Sequence, residues 1–271
     1  MKKPQLFVVA TPIGNKKDLG QRAVEVLKSV DFIACEDCRT SKKLLDELNV
    51  ETPLVSYHKF NEKQRTQELL KEFESGKTAA LISDAGTPCI SDPGRILVKE
   101  LFENGINITS IPGASAVITF LSQIPRESEQ FAFFGFLPRV KNQQIEIFER
   151  FSGVDFVFYE AANRLEETIK TIIETRGENA KIAIGRELTK LHEETICEKA
   201  PKILEYYKNH TLKGEIVVLL YAQGQKQGDD AEILEKIKKL KAANFSNKDI
   251  AAILSTLDGV NKNKVYKMAL D

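Results

Sequence analysis

Residues 78–94 constrain the fold more than any other stretch of the chain. Thr78-Ala79-Ala80-Leu81-Ile82 is a short apolar run that reads as a buried strand. It passes directly into Ser83-Asp84-Ala85-Gly86-Thr87-Pro88, with Ser91-Asp92-Pro93-Gly94 close behind. Ile96, Leu97 and Leu101 then follow at helical spacing. Asp92 before Pro93 predicts the helix start, a capping side chain followed by a residue whose φ is already set. A strand, a loop of small residues and a helix make the repeating unit of an open α/β sheet, which binds ligands beyond the carboxyl ends of its strands. Gly86 lets a ligand approach the backbone, whose amides and carbonyls become the binding groups. A tight strand-to-helix turn without a ligand would use the same residues.

The arrangement recurs. Leu6 to Ala10 predicts a strand that ends in Thr11-Pro12-Ile13-Gly14-Asn15, ahead of a helix with Ala23, Val26, Leu27 and Val30 on one face. Asn107 to Ile111 predicts another, ending in Pro112-Gly113-Ala114-Ser115-Ala116. Three such loops on one sheet edge imply a concave site lined by backbone, suited to a flat, polar, nucleotide-like ligand. There is no G-x-G-x-x-G after the first strand, and no G-K-[ST] or cluster of basic residues in these loops. A ligand without phosphates therefore fits better.

Two further loops belong to the same edge. Asp31 to Cys35 predicts a strand closed by Glu36-Asp37-Cys38-Arg39, which opens a helix with Leu44, Leu45 and Leu48 inward. Asp37 as helix cap with Arg39 paired to a nearby acid accounts for this loop, and so does a role for both carboxylates at a ligand. Leu54-Val55 predicts a short strand before Ser56-Tyr57-His58-Lys59-Phe60-Asn61-Glu62. A histidine, a lysine and two aromatics suit stacking on a base and holding a phosphate; they suit an ordinary surface loop equally well.

The composition shifts at Gln123 to Glu129, the expected boundary of a second α/β unit. Strands are predicted at Phe131–Phe136, Asp155–Glu160, Lys181–Gly185 and Gly214–Leu220, with a helix through Leu165, Ile169, Ile172 and Ile173 capped by Asn163. Glu160 and the Arg186/Glu187 pair sit at strand ends, as structural ion pairs or as site residues. Ala222 to Asp230 reads as a linker. The tail is predicted helical throughout, with Ser246-x-x-Asp249 as a capping-box variant, Gly259 as a stop and Asn261 as a new start. Its lysines Lys262, Lys264 and Lys267 lie on the last helix, in an arrangement like a helix-turn-helix. On this feature alone a solvated packing helix is the better account.

Charge and cysteine content narrow the partners. The chain has 271 residues and balances 39 basic against 39 acidic ones, so no global field marks a nucleic-acid binder and any RNA contact rests on local patches. Four scattered cysteines exclude a disulfide scaffold. Cys35 and Cys38 form a C-x-x-C without a second pair or a nearby histidine, so neither a zinc site nor a redox pair is expected, and no metal is required. No signal peptide and no run of 18 apolar residues is present, so a cytoplasmic protein with no membrane partner is expected.

Taken together, T-P-I-G-N (Thr11 to Asn15), E-D-C-R (Glu36 to Arg39), H-K-F-N-E (His58 to Glu62), S-D-A-G-T-P-C-I-S-D-P-G (Ser83 to Gly94) and P-G-A-S-A (Pro112 to Ala116) resemble the tetrapyrrole methylase family of S-adenosylmethionine-dependent methyltransferases. G-F-L-P (Gly135 to Pro138), F-Y-E (Phe158 to Glu160), R-E-L-T-K (Arg186 to Lys190), K-G-E (Lys213 to Glu215) and N-K-V-Y-K-M-A-L (Asn263 to Leu270) extend the resemblance over essentially the whole chain. Within the family it points to the branch that methylates the ribose 2′-hydroxyl of a cytidine in 16S rRNA of the bacterial small ribosomal subunit. Cys38 and His192 depart from the pattern, standing where a threonine and an aromatic are usual.

The resemblance implies two α/β domains, residues 1–123 and 124–224, with the cofactor in the cleft between them, and a helical tail, residues 231–271, that docks RNA. It implies that Pro12, Gly14, Asp84, Gly86, Thr87, Ser115 and Ala116 line the cofactor from the first domain, and Tyr159, Glu160 and Leu188 from the second. A ribose hydroxyl needs a proton acceptor, for which Glu36, Asp37 and His58 are candidates. Arg39, Lys42, Lys43, Lys59 and the tail lysines would hold the RNA. A homodimer is implied as well; DNA is not an expected partner. Methylation of a small tetrapyrrole and non-catalytic ribosome binding are the rival readings.

Overall fold

The computed structural model describes residues 5–208, 213–223, 230–258 and 260–270. Most of the Ala222–Asp230 linker and the Gly259 stop lie outside the described residues.

The first sheet holds β1 (Leu6–Val9), β2 (Phe32–Cys35), β3 (Leu54–Ser56), β4 (Ala79–Ile82) and β5 (Ile108–Ile111) in the order β3-β2-β4-β1-β5. Every pairing is parallel, so all five strands end on one edge. β2 and β4 are buried along their whole length, as expected of a sheet covered on both faces. One face packs α1 (Gln21–Ser29) and α2 (Cys38–Glu47) through Val26, Leu27 and Leu45. The other packs α3 (Glu62–Glu74) and α4 (Arg95–Glu103) through Leu69, Phe73, Leu97 and Leu101.

The second sheet orders β6 (Phe131–Phe136), β7 (Asp155–Ala161), β8 (Lys181–Arg186), β9 (Glu194–Lys199) and β10 (Glu215–Leu220) as β6-β7-β10-β8-β9. Only β6 and β7 are parallel. One face is covered by α6 (Lys141–Arg150), α7 (Leu165–Arg176) and α8 (Ala200–Lys208), around Phe148, Phe156, Phe158 and Ile169. The opposite face receives residues of the first unit. Ile13, together with Val117, Phe120 and Leu121 of α5 (Ala116–Ser122), packs on Val157, Ala183, Val217 and Leu219. The approach is close: a Cβ on Gly185 would stand 2.6 Å from the Phe120 ring.

Three tail helices follow, α9 (Asp230–Ala242), α10 (Asn247–Asp258) and α11 (Lys262–Met268). They close a small core of their own from Ile233, Ile237, Ile250, Leu254, Val260 and Val265, which among the described residues has no member from either sheet. Ser246 and Asp249 form the expected reciprocal contact, hydroxyl to carboxylate at 2.6 Å. Asn261 caps α11 by accepting from the amides of Asn263 and Lys264.

Two predicted helix starts are corrected. α4 begins at Arg95 rather than after an Asp92 cap, because Gly94 turns the chain at φ 129° and spends its N–H on Glu62 Oε1 at 2.8 Å. Asp92 instead lines a cavity between the two sheets. Asn163 does not cap α7. The turn from Ala161 to Arg164 closes first, and Arg164 occupies the cap position without a side-chain cap.

Candidate active site

Because the first sheet is all parallel, the five loops singled out above gather on its carboxyl edge. Thr11 and Gly86 exchange backbone hydrogen bonds, both at 2.9 Å, which laces the β1 and β4 loops together. Thr11 Oγ1 donates to the Ser83 carbonyl at 2.9 Å, and Thr87 Oγ1 to the Ala114 carbonyl at 3.0 Å, adding the β5 loop. The Asp37 N–H donates to Asp84 Oδ1 at 3.3 Å, adding the β2 loop. Gly86, at φ 80°, makes its turn without a Cβ penalty.

Between this edge and the second sheet lies a cavity of about 370 Å³, of a size for one small molecule. The first unit lines it with Ile13, Asp84 to Thr87, Ile90 to Asp92, Ser115 and Ala116. The second unit supplies Phe136, Tyr159 to Ala161, Gly185, Leu188 and Gly214 to Val217. Of the cofactor residues expected from the sequence, Asp84, Gly86, Thr87, Ser115, Ala116, Tyr159, Glu160 and Leu188 are in the wall. Pro12 and Gly14 are not; Ile13 between them is. Gly14 instead packs under the roof loop, where a Cβ would stand 2.6 Å from Thr189 Oγ1 and 2.9 Å from the Leu188 carbonyl. Glu160 lies in the wall, but its carboxylate is turned into the second unit. It accepts from Thr168 Oγ1 at 2.7 Å and pairs with Arg164 at 3.1 Å.

The roof loop carries its own strain. Glu187 and Thr189 flank Leu188 at φ 50° and 63°, a conformation that β-branched residues rarely adopt. Hydrogen bonds hold it there. The Thr189 N–H donates to Glu193 Oε2 at 2.7 Å, and Thr189 Oγ1 accepts from the Asn15 N–H at 3.0 Å. Glu187 takes the Glu215 N–H at 2.9 Å, and Lys190 bridges Glu187 and Glu215 at 3.0 and 3.1 Å.

Among the described residues, the cavity wall contains Asp84, Asp92, Glu160 and Glu215 and no lysine, arginine or histidine. Burial pushes the Asp84 and Asp92 carboxyls above the usual carboxylate range; the Asp37 N–H and the Ser83 hydroxyl respectively offset part of this. Glu36 is raised by burial and by the nearby Asp92 and Asp84. Tyr159 is pushed up to about 12 by burial, with Asp92 and Glu215 adding to it. An acidic, half-desolvated wall favours a cationic, polar ligand and disfavours a polyphosphate.

The three proton-acceptor candidates are set outside the cavity wall. The Asp37 carboxylate caps α2 through the Arg39 N–H at 2.8 Å and also binds the Arg39 guanidinium at 3.0 Å, which lowers it to about 2. His58 Nδ1 accepts from the Phe60 N–H at 3.3 Å, and Asn61 Oδ1 takes the His58 N–H at 2.8 Å. Glu36 is the one whose carboxyl shares the field of the two cavity aspartates. Among the expected RNA contacts, Arg39 is engaged by Asp37 and Lys42 by Asp46, while Lys43, Lys59, Lys262 and Lys267 are exposed and Lys264 is half-buried. Phe60 is 93% exposed on a loop fixed by Asn61. The described residues hold no group of three metal-ligating side chains. None of the described helices is long and apolar enough to cross a membrane.

Sequence reasoning missed the walls supplied by Phe136, Gly185 and Ile216, which come from strands far apart in the chain. Asp92, a helix cap by sequence, lies in the wall. The small-residue signal that marked the first-unit loops had no counterpart in the second unit except K-G-E.

Comparison with known proteins gives a consistent result. Residues 5–204 match the family model described as Tetrapyrrole (Corrin/Porphyrin) Methylases. Ribosomal RNA small subunit methyltransferase I of Halalkalibacterium halodurans is 36% identical over 274 residues, covering 98% of this chain and 94% of the relative. The protein of the same name from Buchnera aphidicola is 38% identical, covering 98% and 96%. Among solved structures, a diphthine synthase aligns with a TM-score of 0.63 at 12% identity, over 80% of this chain and 89% of its own. A uroporphyrin-III C-methyl transferase from Thermus thermophilus, complexed with S-adenyl homocysteine, aligns at 0.55 and 17% identity, over 79% and 96%. At these identities the two structures speak to fold alone.

Proposed function

The chain belongs to the tetrapyrrole (corrin/porphyrin) methylase family, and from that membership we propose that it transfers a methyl group from S-adenosylmethionine to the ribose 2′-hydroxyl of a cytidine in 16S rRNA of the small ribosomal subunit. The observation that carries the reading is the end-to-end similarity, at 36% and 38% identity, to relatives named ribosomal RNA small subunit methyltransferase I. The cavity supports it. S-adenosylmethionine is polar, flat at one end and cationic at sulfur, and the wall offers backbone groups, Asp84 and Asp92.

When bound, S-adenosylmethionine supplies an activated methyl with a good leaving group. The protein has to position the hydroxyl and take its proton. Gly86, Thr87, Ser115, Ala116 and Leu188 form the cofactor cradle, and Gly14 braces its roof loop. Glu36 is the best placed of the three acceptor candidates, since its raised carboxyl is a stronger base than Asp37, which Arg39 already holds. Residues 1–123 and 124–224 act as the two halves of the cleft. The tail, with Lys262, Lys264 and Lys267, docks the RNA together with Lys43, Lys59 and the Phe60 platform. A cytoplasmic homodimer completes the reading.

The test combines purified protein, labelled S-adenosylmethionine and small subunits from cells lacking this gene, followed by digestion of the RNA to nucleosides. Label in 2′-O-methylcytidine is the expected result. Label in no nucleoside, with cofactor binding confirmed by calorimetry, would overturn the rRNA substrate and favour a small-molecule acceptor.

A further inference from the structure

The E-D-C-R loop contains a feature that the methyl-transfer reading does not use. Cys35 is the last residue of β2 and fully buried; Cys38 is the first residue of α2 and half-buried. The β2-to-α2 turn folds the two thiols together, and Cys35 Sγ donates to Cys38 Sγ at 3.3 Å. The sequence, lacking a second pair or a histidine, gave no reason to expect a redox pair here; the turn supplies one. A second observation points the same way. Ser41, one turn along α2, is 3% exposed, and its hydroxyl has no ordinary hydrogen-bond partner among the described residues. Burial pushes the Cys35 thiol up to about 12, and Ser41 opposes that effect. The other two cysteines are placed differently. Cys197 Sγ lies against the Tyr221 hydroxyl at 3.1 Å, and Cys89 lies beside Gly94.

We propose that Cys35 and Cys38 are a site of reversible disulfide formation, driven by hydrogen peroxide, and that closing the bond weakens cofactor binding at the Asp84 edge of the cavity. The more accessible Cys38 sulfur attacks the peroxide O–O bond and becomes a sulfenic acid, releasing one water as two electrons pass from sulfur to peroxide. The Cys35 sulfur then attacks Cys38. The S–O bond breaks, and the leaving oxygen departs as a second water with the Cys35 proton. Two thiols and one hydrogen peroxide give one disulfide and two waters, and an added dithiol reverses the reaction by exchange.

The mechanical consequence follows from what the bond encloses. The sulfurs must close from 3.3 Å to about 2.05 Å, drawing the first turn of α2 toward the end of β2. Glu36 and Asp37 are the two residues between them. The Asp37 N–H reaches Asp84 Oδ1 at 3.3 Å, already a long hydrogen bond. Asp84 lines the cavity, so moving Asp37 releases a wall residue. Loss of one hydrogen bond to a charged group corresponds to about a tenfold weaker complex.

The effect on cofactor binding rests on the methyl-transfer reading, but the disulfide does not, and the experiment separates them. The reduced full-length chain is treated with hydrogen peroxide, quenched with iodoacetamide and digested with trypsin. Both cysteines fall in the single peptide 29–39. The expected result is a peptide 29–39 that takes up no alkyl group and is lighter by two hydrogens. Dithiothreitol should restore it, Cys38→Thr should abolish it, and Cys89 and Cys197 should remain alkylated. Alkylation of both thiols, or over-oxidation of Cys38 without pairing, overturns the site. Calorimetry with S-adenosylhomocysteine should then show about tenfold weaker binding to the oxidised wild type and no effect of peroxide on Cys38→Thr. Equal affinity overturns the coupling. A reduced wild type that binds no cofactor overturns the methyl-transfer reading and leaves the peptide result to judge the disulfide.

Discussion

Replacing Gly14 with alanine tests whether the first unit holds the roof of the cavity in place. The new Cβ would stand 2.5 Å from Lys190 Cγ, 2.6 Å from Thr189 Oγ1 and 2.9 Å from the Leu188 carbonyl oxygen. A carbon pair needs about 3.5 Å, so Lys190 alone would have to retreat by about 1 Å. It is not free to do so, because its ammonium is tied to Glu187 and Glu215. Thr189 is held by Glu193 and Asn15. The loop therefore lifts as a body and takes Leu188 out of the cavity wall. Overpacking of this kind costs about 1–3 kcal/mol. Expressed in cofactor affinity, that is about 5- to 150-fold in Kd; expressed in stability, it is about 2–4 °C of Tm per kcal/mol. Calorimetry with S-adenosylmethionine and a thermal melt, run on Gly14→Ala and on Gly153→Ala, read the two. Among the described residues nothing lies within 4 Å of a Cβ at Gly153, so that variant should match wild type in affinity. A Gly14→Ala protein with wild-type affinity and Tm would refute the bracing role.

Asp92→Asn should stabilise the unliganded protein while weakening cofactor binding. The folded-state carboxyl is raised by burial, so its ionisation opposes folding as pH climbs from the unfolded pKa through the folded one, and the amide removes that opposition; a melt at neutral pH that falls instead of rising refutes this. Phe60→Ala should raise the KM for the RNA substrate by about 5- to 150-fold, the range of one lost base stack, with Tm unchanged because the ring is 93% exposed; an unchanged KM sinks the platform. Deleting residues 231–271 should keep cofactor affinity and abolish RNA methylation, since among the described residues the tail core shares none with the sheets; full activity in the truncated protein would refute docking by the tail.

What the sequence could reveal follows from the range of the interactions involved. The three small-residue loops were legible because a strand end, a glycine turn and a helix start are all local. The parallel sheet then brings them together without further instruction. Phe136, Gly185 and Ile216 were not legible, because they reach the cavity through β6, β8 and β10, and pairings such as Ile216 with Arg186 span about thirty residues. β9 was missed because Glu194–Lys199 is a half-polar edge strand, and α6 because few of its residues are buried. Glu160 shows the limit at a single residue. Its position at a strand end was readable, while the turn of its carboxylate toward Thr168 and Arg164 depends on a helix that starts five residues later. Asp92 shows the reverse: a good capping residue lost that role because Glu62, from another helix, claimed the Gly94 amide.

The separate core of the tail has an electrostatic corollary. Residues 231–271 carry eight lysines against five acidic residues, so in a chain of zero formal charge the remainder is acidic by the same margin. The molecule is thus polarised, with its positive pole on a unit that folds around its own apolar residues. A polyanion approaching in dilute salt is drawn to that pole and turned away from the acidic mouth of the cavity. Counterion release then belongs mainly to the tail, so added salt should erode encounter with RNA long before it touches the small-molecule step.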